Sequence, residues 1–179
     1  MELRVENGRP SDVEGRSPRE MRVYDFLDSI GVEYRRVDHP AVVTMEDCVA
    51  PKAALGAPLC KNLVLCNRQE TAFYLLLMPG EKPFRTKDLS AQINSARLSF
   101  ASPERMEELL GVTPGCASVM GLLNDTAGKV QLLVDRDLMN EPTFGCHPCV
   151  TTASIAFPTE VLLRTVLPAM KRNPRLVTL

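Results

Sequence analysis

The chain has 179 residues, 45% of them apolar and 24% charged, a balance that predicts one domain burying roughly 70% of the surface its unfolded form exposes. Its net charge of −1 supplies no global field toward nucleic acid or an anionic membrane, so a polyanionic partner has to be met by a local basic patch. No apolar run approaches the roughly 18 residues that a membrane span needs, and the charged start Met1-Glu2-Leu3-Arg4 lacks the apolar stretch of a secretory signal.

A cytosolic protein is therefore expected, with no membrane partner and with six reduced cysteines. Residues 1–17 are polar, contain Gly8, Pro10 and Gly15, show no periodicity, and are expected to form a flexible leader. Ser17-Pro18-Arg19-Glu20 is a helix start: a serine cap, a proline at the first helical position and a glutamate at the third suit the unpaired amides and the dipole. Val23, Phe26, Leu27 and Ile30 then follow i, i+3, i+4, i+7 spacing up to Gly31. Residues 32–37 read as a strand, His39-Pro40 as a turn, and 44–55 as a second helix capped by Thr44 with Asp47 at its third helical position.

The apolar segments 60–67 and 71–78, split by Asn67-Arg68-Gln69-Glu70, predict an antiparallel hairpin buried on at least one face. Helices are expected at 86–94 and 103–110 with a short strand at 97–100 between them, followed by a turn at 111–115. Strands at 129–134 and 151–157, a closing helix at 158–170 and a tail at 171–179 complete the chain. Strands joined sometimes by hairpins and sometimes by helices imply a mixed α/β, α+β-like fold: a single domain over 18–170 with a central mixed β-sheet flanked by helices. There is no internal repeat and no low-complexity segment.

Few residues carry chemistry. Cys146-His147-Pro148-Cys149 has the spacing of a thiol oxidoreductase, but such pairs draw their lowered pKa from a helix N-terminus, and β-prone residues follow here. A zinc site lacks a second close pair, since Cys60 and Cys66 are wrongly spaced and Cys48 stands alone; no metal and no cofactor are expected. The glycines between Gly111 and Asp125 form neither a phosphate loop nor a dinucleotide fingerprint, leaving tight turns or close approach to a ligand. There is no nucleophile elbow, and His39 and His147 have no serine and acid in a triad order.

Lys61 opens an apolar strand, where an ammonium is costly to bury unless it meets an anion or a carbonyl. Beside a Gly145-Cys146-His147-Pro148 bend it would make a pole for an oxyanion or a phosphate. His147 reads as a structural hydrogen-bonding group, a general acid or base, or a substrate contact. What survives is a hydrolase without a protein nucleophile, or a binding module.

His39-Pro40-Ala41-Val42, Lys61-Asn62-Leu63, Asp88-Leu89, Arg97-Leu98-Ser99-Phe100, the 110–115 segment, Gly121-Leu122-Leu123-Asn124-Asp125, Asp135 and Gly145-Cys146-His147-Pro148 occur in the order and spacing of a known family. Over residues 17–170 the chain resembles the YbaK/ProX-type aminoacyl-tRNA deacylases, the editing domain inserted in bacterial prolyl-tRNA synthetases and its free-standing relatives. The 97–125 stretch is most similar to the alanyl-tRNA(Pro) deacylase branch.

The resemblance implies a cleft between the Lys61 strand and the His147 loop, and hydrolysis of mischarged tRNA with no cofactor. It implies catalytic roles for Lys61, Gly145 and His147 and substrate contacts from Asn62, Ser118, Gly121 and Asp125. The expected partners are the acceptor end of mischarged tRNA and prolyl-tRNA synthetase. Lys61 would hold the terminal phosphate or the carbonyl, backbone amides around Gly145 would meet the oxyanion, and His147 would orient substrate or relay a proton. A noncatalytic tRNA-end or synthetase-binding module, a deacylase for cysteine or serine, and a thiol enzyme are the alternatives.

Overall fold

The structure, a computed structural model, describes residues 3–179, so residues 1 and 2 of the expected leader lie outside the described residues. The predicted hairpin forms its centre. Strand β3 (Lys61–Asn67) pairs antiparallel with β4 (Phe73–Met78), in a register running from Lys61 opposite Met78 to Cys66 opposite Phe73. The Asn67 side chain closes the turn, its Oδ1 accepting from the amides of Thr71 at 2.8 Å and Ala72 at 3.1 Å. All six residues of β4 are buried, which its unbroken Phe-Tyr-Leu-Leu-Leu-Met run allows because the sheet is covered on both faces.

Around this pair stand β5 (Leu98–Phe100), antiparallel to β3, and β6 (Val130–Asp135), parallel to β4, with β9 (Arg175–Val177) parallel to β6. The order is β5-β3-β4-β6-β9. On one face Leu65, Leu76 and Leu133 pack with Leu89 and Ile93, which belong to α3 (Thr86–Gln92) and its C-cap. On the other face lie α1 (Pro18–Ser29), α4 (Pro103–Leu110), the C-terminal helical run and a second sheet. The predicted Ser17 cap is present, its Oγ accepting from Arg19 N–H, and Ser102 caps α4 in the same way, its Oγ accepting from Arg105 N–H.

The β structure is therefore divided, where one central sheet is the expectation. The second sheet is antiparallel, ordered β1-β2-β8-β7, from β1 (Val5–Asn7), β2 (Arg35–Asp38), β7 (Thr143–Cys146) and β8 (Ala153–Pro158). The two sheets pack through a shared apolar core, and among the described residues one isolated backbone bridge, Leu59 with Gly145, joins them at the edge, where Cys60 N–H donates to the Gly145 carbonyl at 3.1 Å. Pro58 has no amide with which to extend that ladder backward. Past the bridge the chain turns into β3 and the other sheet.

The expected flexible leader and the expected tail both contain structure. Residues 5–7 of the leader form β1 because Arg36, 1% exposed on β2, needs anionic partners and takes Glu6 from β1 together with Asp38. The tail at 171–179 contains β9, anchored by buried Val177. The helix expected over 44–55 begins only at Val49, as α2 (Val49–Leu55). Thr44 and Asp47 instead close a tight turn, with Asp47 Oδ2 accepting from the Val43 and Thr44 amides at 2.9 and 2.8 Å. The closing helix runs as α5 (Thr159–Val161), a π segment (Leu162–Val166) and α6 (Leu167–Ala169). The wide turn falls where Pro168 supplies no amide. Among the described residues no helix is long and apolar enough to cross a membrane.

A candidate active site at the seam between the sheets

Where β3 leaves the seam, a cleft of about 310 Å³ opens, lined by Lys61 and Asn62 from β3, His147 from the turn after β7, and Val42, Gly115 and Ala117 from loops. Two segments more than eighty positions apart in sequence thus share one cavity. The bridge between Leu59 and Gly145 is what holds them there.

Lys61 is part-buried and donates from Nζ to the Lys82 carbonyl at 2.7 Å. That carbonyl is itself fixed, because the Lys82 ammonium bridges Asp135 and Asp137, each at 2.7 Å, and Asp135 is fully buried at the end of β6. Among the described residues Lys61 forms no ion pair. Its ammonium is held in place with its charge uncompensated, the state in which a cation attracts an anionic or carbonyl oxygen most strongly.

His147 is fixed from behind. Its Nδ1 lies 2.9 Å from the Ala153 carbonyl and 3.3 Å from Ser154 Oγ. A carbonyl only accepts, so Nδ1 carries the proton and Nε2 is the bare nitrogen, with no hydrogen-bond partner among the described residues. Burial lowers the His147 pKa from its ordinary value; the Ala153 contact opposes this and the neighbouring His39 adds to it. A neutral imidazole with an unspent acceptor therefore lines the same cleft as Lys61. His39 meets His147 edge to face at 6.1 Å between ring centroids, and its Nε2 lies 2.9 Å from Ser154 Oγ.

The remaining predicted residues have other duties. Gly145 does not line the cleft; its carbonyl is taken by Cys60, and an added Cβ would sit 2.8 Å from the Pro58 carbonyl oxygen. Its lack of a side chain permits the seam. Asn62 lines the cleft but spends its amide internally, Nδ2 donating to the Cys60 carbonyl at 3.1 Å and Oδ1 accepting from Val119 N–H at 3.1 Å. Ser118 is buried and caps a short 3-10 turn by accepting from Met120 N–H, and Gly121 allows close packing on Leu110. Asp125 accepts from the amides of Lys129 at 2.9 Å and Val130 at 2.8 Å and pairs with Arg172 at 3.2 Å. Ser118, Gly121 and Asp125 all lie outside the cleft lining.

Among the described residues the other cations near the Lys61 strand are engaged or remote. Lys82 is consumed by its two aspartates and Arg85 by Asp88, while Arg68 follows the far end of β3, about 20 Å along the strand from Lys61. Cys146 and Cys149 are buried thiols; burial holds Cys146 well above its ordinary pKa and pushes Cys149 up to about 12. Strand β8, not a helix, follows them, so neither has the environment of an attacking thiolate. Among the described residues no three His, Cys, Asp or Glu side chains are grouped to hold a metal ion.

His39 and Ser154, which stand behind His147, are not singled out as site residues by sequence reading, although His39 opens the first of the matching motifs and both histidines of the chain precede a proline. Ser154 sits inside the strand expected over 151–157.

Residues 39–165 match the model of the aminoacyl-tRNA editing domain. The Prolyl-tRNA editing protein ProX of Acetoanaerobium sticklandii is 29% identical over 140 residues, covering 78% of this chain and 85% of the relative. The Prolyl-tRNA synthetase associated domain-containing protein 1 of Danio rerio is 28% identical over 142 residues, covering 78% of this chain and 77% of the relative. A solved structure described as a candidate trans-editing enzyme for prolyl tRNA synthetase superposes with a TM-score of 0.69 at 20% identity, covering 92% of this chain and 99% of the other, a likeness of fold.

Proposed function

The chain belongs to the aminoacyl-tRNA editing domain family, and from that premise we propose that it is a trans-editing deacylase that hydrolyses mischarged tRNA, with alanyl-tRNA(Pro) as its substrate. The names of its relatives, a prolyl-tRNA editing protein and a prolyl-tRNA synthetase associated protein, support tRNA(Pro) as the carrier and prolyl-tRNA synthetase as the source of the error. The observation that carries the reading is that one cleft is lined both by Lys61, whose ammonium forms no ion pair among the described residues, and by His147, whose Nε2 has no hydrogen-bond partner there.

An ester is already activated toward water, so a site that orients the attacking molecule and stabilises the developing oxyanion needs no covalent intermediate. Lys61 takes the oxyanion pole. His147 Nε2 accepts the proton of the attacking water and returns it to the departing ribose oxygen, which leaves its own charge unchanged over the cycle. Gly145 acts one step back, letting the two segments meet. Gly115, Ala117 and Val42 give part of the cleft a lining of small apolar groups, which suits a side chain as small as alanine. A synthetase pocket shaped for proline rejects a smaller residue by only about 1–3 kcal/mol per missing methylene, so a second and smaller cavity is the physical remedy.

The test is a panel of tRNAs charged with alanine, cysteine, serine or proline, each incubated with the chain while free amino acid is measured. Release of alanine from tRNA(Pro) with prolyl-tRNA(Pro) spared is expected, and lost in Lys61→Ala. Full activity of Lys61→Ala on alanyl-tRNA(Pro) would overturn the assignment, and binding of tRNA without any ester turnover would favour a noncatalytic module.

A further inference from the structure

We propose that His39 and Ser154 are positioning residues for this deacylation: together they hold His147 in the one tautomer that leaves Nε2 unprotonated toward the cleft. The inference rests on the proposed reaction for its purpose, but its geometry stands independently.

A neutral imidazole has two tautomers, and in water the one protonated at Nε2 is the commoner. A base that must use Nε2 needs the other. The choice is set by what the opposite nitrogen meets. Behind His147, Nδ1 meets two oxygens, the Ala153 carbonyl at 2.9 Å and Ser154 Oγ at 3.3 Å. The carbonyl has a fixed polarity. The hydroxyl does not, and a serine free to rotate would offer its own proton to Nδ1 and favour the wrong tautomer.

His39 removes that freedom. Its Nδ1 lies 2.9 Å from the Pro40 carbonyl, which accepts only, so Nδ1 of His39 is the protonated nitrogen and its Nε2 is an acceptor. That acceptor lies 2.9 Å from Ser154 Oγ and claims the hydroxyl proton. Ser154, fully buried, is left presenting lone pairs to His147. The polarity runs in one direction from end to end: His147 Nδ1–H to Ser154 Oγ, Ser154 O–H to His39 Nε2, and His39 Nδ1–H to the Pro40 carbonyl.

The backbone holds this arrangement in register. Ser154 lies opposite Val37 on the β2–β8 ladder, and beyond its end the His39 amide donates to the Thr152 carbonyl at 3.0 Å and the Val42 amide to the Thr151 carbonyl at 3.0 Å. The same stretch of chain that positions His39 thus delivers Val42 to the cleft wall. Neither His39 nor Ser154 lines the cleft. Their influence on turnover has to pass through the imidazole.

The experiment is ¹⁵N spectroscopy of histidine-labelled protein, paired with steady-state deacylation of alanyl-tRNA(Pro), on the unaltered chain and on His39→Phe, His39→Gln and Ser154→Ala. In the unaltered chain His147 is expected with a protonated Nδ1 and a bare Nε2; finding the opposite tautomer overturns the proposal without any variant. His39→Phe keeps a ring of similar shape but no acceptor, so the Nε2–H tautomer should become populated and kcat should fall about tenfold with KM within about twofold. His39→Gln places an amide oxygen where Nε2 stood and should restore both readouts. Ser154→Ala removes the rotor and should leave the tautomer to Ala153 alone, with less loss of turnover than His39→Phe.

A fall in melting temperature with no change in tautomer or kcat would make both residues merely structural and end the proposal. If the unaltered chain shows no ester turnover yet its His147 tautomer responds to His39→Phe, the proposed reaction fails and the positioning role survives.

Discussion

The cleft at the sheet seam and the segment from Ser118 to Asp125 look alike in sequence, since both mix glycines with isolated polar side chains in loops beside apolar strands. In the structure they differ in what their polar groups have left to give. Asp125 has both carboxylate oxygens on backbone amides and a guanidinium beside them, Ser118 Oγ is a cap, and Gly121 is pressed on Leu110. Lys61 has one carbonyl and no anion, and His147 has one nitrogen satisfied and one free. Residue type nominates a site; unspent hydrogen-bonding and charge capacity identifies it.

The largest effects come from exchanging the insult between the two regions. Asp125→Ala removes the carboxylate paired with Arg172 and the acceptor of the Lys129 amide and the buried Val130 amide, and should cost about 3–5 kcal/mol of unfolding free energy, while the folded fraction deacylates at close to the original kcat. Lys61→Met should do the reverse, lowering deacylation about 10²–10³-fold with stability within about 1 kcal/mol, because a part-buried ammonium held by one carbonyl is replaced by an unbranched apolar chain. Denaturant titration and single-turnover deacylation of the same preparations separate the two. If Asp125→Ala lost turnover in its folded fraction while Lys61→Met kept it, the division between the regions would be reversed.

A smaller effect, about tenfold per pH unit, distinguishes the free nitrogen of His147 from the spent groups elsewhere. Its folded pKa lies below the ordinary value of 6.5, chiefly through burial. The neutral form is the working base, so kcat/KM should be flat at neutral pH and fall as acid protonates the ring, with a midpoint below 6.5. The same sign holds for stability. The unfolded chain takes up this proton first as pH falls, so the neutral ring's contribution is intact above the unfolded pKa and is lost between that value and the lower folded one. Activity that instead rose as acid protonates the ring and was lost above its pKa would mean that His147 works as a cation, against the tautomer set by Ala153.

What the sequence discloses follows the same division between periodic and cooperative features. The β3–β4 hairpin, α1 and α4 are legible because each is specified by its own residues: an apolar run, an i, i+3, i+4, i+7 stripe, a serine cap before proline. Strands β1 and β9 are not, because three residues carry no periodicity and these edges exist through distant partners, Glu6 through buried Arg36 and Val177 through β6. The junction is similar. Lys61 and His147 are nominated by their residue types, but Gly145 reads equally as an oxyanion amide or a packing glycine until Pro58 is placed against it. His39 and Ser154 depend on a two-stranded register that no local pattern encodes.

The smallest expected effect tests the comparison from its other side, using groups that lie within the most conspicuous motif yet are fully spent. Cys146 and Cys149 flank His147, but both are buried, and burial keeps their thiols protonated at neutral pH. A thiol enzyme would lose its nucleophile on substitution. Under the water mechanism the pair is packing, so Cys146→Ala/Cys149→Ala should keep deacylation within about twofold and lose only about 1–2 kcal/mol of stability from the small voids left behind. The measurement has to be made above the acid limb of His147, so that a change in its protonation is not mistaken for loss of a thiol. A hundredfold loss of turnover in a variant that melts normally would place a cysteine in the chemistry, and unspent capacity would no longer be a sufficient guide to this site.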